Sequence, residues 1–144
     1  MAAAIEYLAR AARSAAEVAA YLADRAVAPD AVDATIAALV ARGYVDDVVL
    51  AERRAEELLL HRGCGSLKVV HELTRRGLTD TVVDRAIAGV LEGRSELDLV
   101  RAALERRFGS KPPTSRAERA KAFRFLVGRG HPPEIVSELL GEDD

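Results

Sequence analysis

Apolar residues recur at three- and four-residue spacings along almost the whole chain, beginning with Ile5, Leu8, Ala9 and Ala12. That period belongs to amphipathic helices, and no stretch of useful length shows the two-residue alternation of a half-buried strand. The breaks in the pattern are regular. Gly43, Gly63, Gly77, Gly93, Gly109 and Gly130 each stand at or just beyond the last turn of a periodic segment, where a residue at ease in left-handed backbone ends a helix. Start signals lie between them. Ser14 with Glu17 and Ser115 with Glu118 have the spacing of capping boxes. Asp46, Ser66, Thr79 and Ser95 are further N-cap residues, and Pro29 and Pro132 stand where a first helical turn tolerates a missing N–H. Together these signals predict nine helices, near 2–11, 15–26, 29–42, 47–61, 66–76, 80–91, 96–108, 116–128 and 133–140. The loop Gly109-Ser110-Lys111-Pro112-Pro113-Thr114 has two prolines and few backbone bonds to hold it, so mobility is expected there.

The helices come in threes, and the threes repeat. Leu22 to Arg25 recurs as Leu73 to Arg76 and as Leu126 to Arg129, at spacings of 51 and 53 residues. Around this anchor Val18, Val69 and Ala122 align, as do Ala19, Val70 and Phe123. Seven residues beyond the arginine stand Val32, Val83 and Val136, and further on Ile36, Ile87 and Leu140. A period of this size marks stacked units, each too small to bury its own apolar face. The expected fold is all-α: three tandem three-helix repeats, over 1–45, 46–94 and 95–144. Arg25, Arg76 and Arg129 share one repeat position, read as a favourable charge at a helix C-terminus. Phe125 aligns with Tyr21 and Glu72, a position that demands no apolar residue. It is read as packing on a neighbouring helix, with a partner anchor as the alternative.

Composition narrows the function. The chain has 144 residues and a formal net charge of −2, which argues against a surface that grips nucleic acid everywhere. The distribution is uneven, however. From Arg101 to His131 there are nine basic residues against only Glu105 and Glu118, followed by the acidic tail Glu142, Asp143 and Asp144. The basic set is Arg101, Arg106, Arg107, Lys111, Arg116, Arg119, Lys121, Arg124 and Arg129. Helical spacing places Arg116, Arg119 or Lys121, and Arg124 on one side, as a stripe able to meet phosphates or an acidic protein surface. One cysteine, Cys64, allows no internal disulfide and suggests a reducing, cytoplasmic setting. No run of 18 apolar residues is present to span a membrane. The Ala- and Arg-containing start could be taken for a transit peptide, but Glu6 and the apolar period there read as a helix of the fold.

Catalytic and metal chemistry find little support. His61, Cys64 and His71 offer three ligands at uneven spacing and no fourth. They are read as a half-buried thiol in a turn and two surface histidines, with no metal and no cofactor. There is no nucleophile elbow, no phosphate-binding loop and no strand before Gly63-x-Gly65. The carboxylate pair Asp46-Asp47 opens a long helix, where negative charge meets the positive end of the macrodipole. An enzyme is not expected.

The segment Gly43-Tyr44-Val45-Asp46-Asp47 forms a corner between two helices: Gly43 ends one, Tyr44 and Val45 turn inward, and Asp46 caps the next. Preceded by Ile36-Ala-Ala-Leu39, it resembles the Gly-Tyr-Leu-Asp-Asp signature of the RecX family, with Val45 for the usual Leu. Arg62-Gly63 matches that family's basic residue and glycine after the long helix. Leu73-Thr74-Arg75-Arg76-Gly77-Leu78 and Leu126-Val127-Gly128-Arg129-Gly130-His131 match its two later Leu-x-x-Arg-Gly elements. The similarity runs over essentially the whole chain in the family's order. His131 and Pro132-Pro133 depart from the pattern, which bears on the geometry of the last helix.

The resemblance implies that the three repeats form an elongated, curved array, and that the protein is a regulator of the RecA recombinase in homologous recombination, DNA repair and the SOS response. Its partner would be the RecA filament on single-stranded DNA. It would lie in the filament groove as a monomer, typically inhibiting ATPase, strand-exchange and coprotease activities, with direct DNA contact an open question. Two other readings compete. A helix-turn-helix transcriptional regulator would fit three-helix units, but the chain has no Asn and no Gln, the usual adenine readers. A helical scaffold for an unrelated protein is the other.

Overall fold

The computed structural model describes residues 1–141. Among them nine α-helices follow one another: α1 Ala2–Arg10, α2 Ala15–Asp24, α3 Pro29–Ala41, α4 Asp47–Glu56, α5 Ser66–Arg75, α6 Asp80–Val90, α7 Glu96–Phe108, α8 Arg116–Gly128 and α9 Pro133–Leu140. The local signals explain their ends. Ser14 caps α2 in a complete capping box with Glu17, and Ser95 caps α7 in another with Asp98. Asp46 and Thr79 each accept a backbone N–H at the start of α4 and α6. α4 runs on into a π-turn, Glu57–His61, closed by the Arg62 N–H on the Glu57 carbonyl at 3.0 Å. The wider turn lets two successive leucines, Leu58 and Leu59, both enter the core.

The helices pack in threes around three apolar clusters. The repeat alignment is an alignment of core positions: Leu22, Leu73 and Leu126 are each 2% exposed or less, and Val32, Val83 and Val136 are buried beside them. Burial of each such leucine contributes about 1.5–3 kcal/mol. Val70 is the exception at its position, 38% exposed, between its half-buried counterparts Ala19 and Phe123. Leu99 of α7 reaches out of its own unit into the middle cluster. Within the middle unit Arg54 grips the Glu72 carboxylate with two N–H···O bonds of 2.6 and 2.7 Å. In the first unit Tyr7 and Tyr21 stack with centroids 4.0 Å apart. Arg13 covers the outer face of Tyr7 and Arg25 that of Tyr21, so cation–π contacts extend the stack to four layers.

Three local expectations are corrected. Tyr44 does not turn inward: it is 58% exposed, while Val45 is 2% exposed. Gly43 reverses the chain so tightly that only one of the two can reach the core, and the smaller one does. Ser66 does not cap α5; Gly65 holds that place, and the Ser66 hydroxyl donates instead to the Glu96 carboxylate. Cys64 is fully rather than half buried, because the π-turn and the middle cluster close over it.

Candidate functional site

The middle helices of the three units run end to end. The C-terminus of α5 meets the N-terminus of α2, and the C-terminus of α8 meets the N-terminus of α5. Helix ends leave backbone N–H groups at one terminus and carbonyls at the other without partners, and the joints pair the two sets. At the second joint the Gly65 N–H donates to the Arg129 carbonyl at 2.9 Å, and the Leu67 N–H to the Gly130 carbonyl at 3.0 Å. At the first, the buried Ser14 hydroxyl donates to the Arg76 carbonyl at 2.5 Å while accepting the Glu17 N–H. Asp47 joins in, its carboxylate accepting the Ala15 N–H at 2.9 Å. The Asp46-Asp47 pair is thus divided: one caps its own helix, and the other holds the neighbouring unit.

The shared arginine is a tie across each joint, which its reading as a helix-end charge had not included. Arg76 donates to Glu17 and to the Ala12 carbonyl, 3.0 Å each. Arg129 donates to the Arg62 carbonyl. Burial pushes the Glu17 carboxyl up, but the bonds from Ser14 and the Arg76 guanidinium together hold it below its ordinary range. The glycine after each arginine is demanded by contact. A Cβ at Gly77 would lie 2.4 Å from the Ala16 Cβ, and one at Gly130 would lie 2.6 Å from the Lys68 backbone nitrogen. At the free end of the array the equivalent residue is Ala26, with φ +60°. Among the described residues no unit packs there, and a Cβ is tolerated.

The nine basic residues singled out from the sequence fall into separate places. Arg106, Arg107 and Arg129 come together with Arg62 around a cleft of about 330 Å³ at the second joint. Arg106 donates to the His61 carbonyl at 2.8 Å, and Arg107 lies over Phe108 and Phe125. Lys111 and Lys121 share a cleft of about 560 Å³ with Glu118. Arg119 and Arg124 line one of about 350 Å³ near the end of α9, and Arg119 also donates to the Thr114 carbonyl. Arg101 pairs with Asp98 at 3.6 Å, and Arg116 opens α8. The tail Glu142 to Asp144 lies outside the described residues. Phe125 packs edge-on against Phe108 at 5.6 Å, beside the third core.

Sequence reasoning missed Arg62 and misjudged His131. Arg62 lies outside the basic stretch, so counting charge along the chain passes over it. The repeat register gives no signal for it either, since spacings of 51 and 53 residues set Arg62 level with Ala11 and Ser115. His131 looked like a departure from pattern. It is 1% exposed, and its Nε2 lies 3.0 Å from the Gly63 carbonyl. A carbonyl only accepts, so Nε2 carries a hydrogen, and the neutral form of the ring is the Nε2–H tautomer. Burial lowers its pKa, with Arg129 adding to the effect; the Gly63 bond and Glu96 oppose them. The native imidazole therefore binds its second proton less readily than the unfolded one, whose pKa is about 6.5. Stability is expected to be full above about pH 6.5 and to fall as the pH drops toward the carboxylate range. Melting temperatures of the parent and of His131→Asn between pH 7.5 and 5 check this; curves of equal slope would refute the assignment.

Among the described residues no helix is long and apolar enough to cross a membrane, and no group of three or more His, Cys, Asp or Glu could hold a metal ion. Family profiles match at both ends of the chain: "RecX, first three-helix domain" over residues 1–39 and "RecX, third three-helix domain" over 95–140. The Regulatory protein RecX of Chromohalobacter salexigens is 39% identical over 137 residues, covering 95% of this chain and 88% of that protein. That of Halorhodospira halophila is 36% identical over 148 residues, covering 99% and 88%. The crystal structure of RecX from Lactobacillus salivarius superposes with a TM-score of 0.75 at 18% identity, covering 96% of this chain and 90% of that one. With relatives matched nearly end to end and its helices in the same arrangement, the chain belongs to the RecX family of regulatory proteins.

Proposed function

We propose that this protein regulates the RecA recombinase by occupying the groove of the RecA filament on single-stranded DNA, acting as a bound body and not as an enzyme. The observation that supports this most is the match to proteins named Regulatory protein RecX over nearly the full length of both chains. The architecture is compatible with it. Units joined through their middle helices make an array that can lie along a helical groove and touch successive protomers, as a single sphere cannot. The proposed units are 1–45, 46–94 and 95–144, with the basic residues of the last unit and Arg62 as the contact set. A ligand that prefers one filament state shifts the filament toward it by the difference in affinity, so occupancy of the groove would slow the rearrangements that accompany nucleotide turnover.

The test is ATP hydrolysis by RecA on single-stranded DNA with this protein titrated in, alongside co-sedimentation with the filaments. The expected result is a saturable fall in rate, with the protein in the pellet. An unchanged rate together with an empty pellet would overturn the proposal.

A further inference from the structure

The cleft at the second joint is unlike the rest of the basic surface. Arg62, Arg106, Arg107 and Arg129 line it, together with Phe125 and Gly63, and among the described residues no carboxylate lines it. Four guanidinium groups so close together repel one another, and the fold holds them there by other bonds. Arg106 and Arg129 are fixed by donating to the His61 and Arg62 carbonyls, which the end of the π-turn leaves free. Arg107 rests on the Phe108 and Phe125 rings at 5.2 and 5.6 Å. Among the described residues only Arg62 of the four has an acidic partner, Glu57 at 3.2 Å, which stands outside the cleft. Each guanidinium has five N–H donors, and the contacts above use at most one of them. A preformed fork of this kind suits phosphate oxygens.

We infer that this cleft binds the phosphate backbone of single-stranded nucleic acid, with Arg62 and Arg107 as its principal ligands and Phe125 beside them as an apolar platform. A half-buried aromatic ring flanked by arginines is the combination that tracks single strands without reading sequence, because phosphates meet the charges and bases stack on the ring. A carboxylate-bearing protein segment would satisfy the charges but would leave the aromatic platform unused. The inference goes beyond the filament reading without resting on it, since naked DNA is its probe.

Anisotropy of a labelled oligo-dT strand, titrated at several salt concentrations, tests it. Arg62→Ala/Arg107→Ala removes two cleft charges and leaves every inter-unit bond in place, because the Arg62 main-chain carbonyl remains. Arg53→Ala/Arg75→Ala removes the same charge from exposed positions elsewhere on the middle unit. The cleft variant is expected to bind about tenfold more weakly, with the slope of log affinity against log salt reduced by about 1–2. The control is expected to stay within about twofold of the parent. Equal weakening in the two variants, or no binding by the parent at low salt, would overturn the inference. So would a poly-glutamate peptide that binds the parent more tightly than oligo-dT and is lost in the cleft variant. Filament co-sedimentation by the parent protein, measured separately, tells failure of this site from failure of the RecA reading.

Discussion

Gly65→Ala is expected to lower the stability of the protein by about 3 kcal/mol, although it adds a single methyl group at a backbone conformation that alanine adopts freely. Gly65 has φ −97°, so no left-handed strain is involved. The cost is steric. A Cβ there would lie 2.4 Å from the Gly130 carbonyl oxygen and from the His131 nitrogen and Cα. These are main-chain atoms that cannot rotate away, so the joint must open. Opening it would break the bonds from Gly65 N–H to Arg129 and from Leu67 N–H to Gly130, and would expose His131. Gly89→Ala is the matched control. Gly89 lies inside α6 with nothing within 4 Å of its would-be Cβ. Alanine there is expected to stabilise by about 0.5–1 kcal/mol through helix propensity alone. Denaturant unfolding compares the two, and hydrogen exchange at the 65 and 67 amides reports on the joint directly. A Gly65→Ala protein that keeps both protection and stability would show that the units do not meet as described.

The second large effect is expected at Leu73. Leu73→Ala removes a side chain with no exposed surface at the centre of the middle cluster, at a cost of about 2–5 kcal/mol from lost burial and the cavity left behind. Leu22→Ala should cost a similar amount by the same argument. The two should differ in reach, because stability in an array is a sum of unit and interface contributions. The middle unit supports joints on both sides, so its loss should loosen both neighbours, whereas loss of the first unit loosens one. Residue-resolved hydrogen exchange distinguishes them: Leu73→Ala should lower protection in all three units, and Leu22→Ala mainly in α1 to α5. Uniform loss in both variants would mean that the chain unfolds as one body.

Both predictions concern the joints because the proposed activity depends on them. A groove-bound array meets its partner at several points, and its contacts are in register only if the units keep fixed angles. In this protein those angles are set by a few inter-unit bonds around Gly65, Gly77 and Gly130 and a buried histidine, and the cleft of arginines lies at one of these joints. A substitution far from any charged side chain can therefore alter regulation. This gives a second use for Gly65→Ala: it should impair filament binding while leaving every basic residue of the last unit in place.

What the sequence determined by itself is what short-range physics controls. Apolar spacing, serine and aspartate caps and left-handed glycines act within a few residues, so the nine helices of the described residues and the aligned core leucines are legible in the sequence. The recurrence of Leu-x-x-Arg-Gly made the repeat visible for the same reason. The tertiary structure alone decided what each recurring residue touches. The same arginine ties two units at Arg76 and Arg129 but stacks on a ring at Arg25, and the same backbone turn requires glycine at Gly77 and Gly130 but admits Ala26. Arg62 entered the basic cleft, and His131 became a buried partner of Gly63, through contacts spanning more than forty residues of chain. Such contacts depend on how units are placed in space, and spacing along the chain carries no record of that placement until neighbouring units press two backbones together.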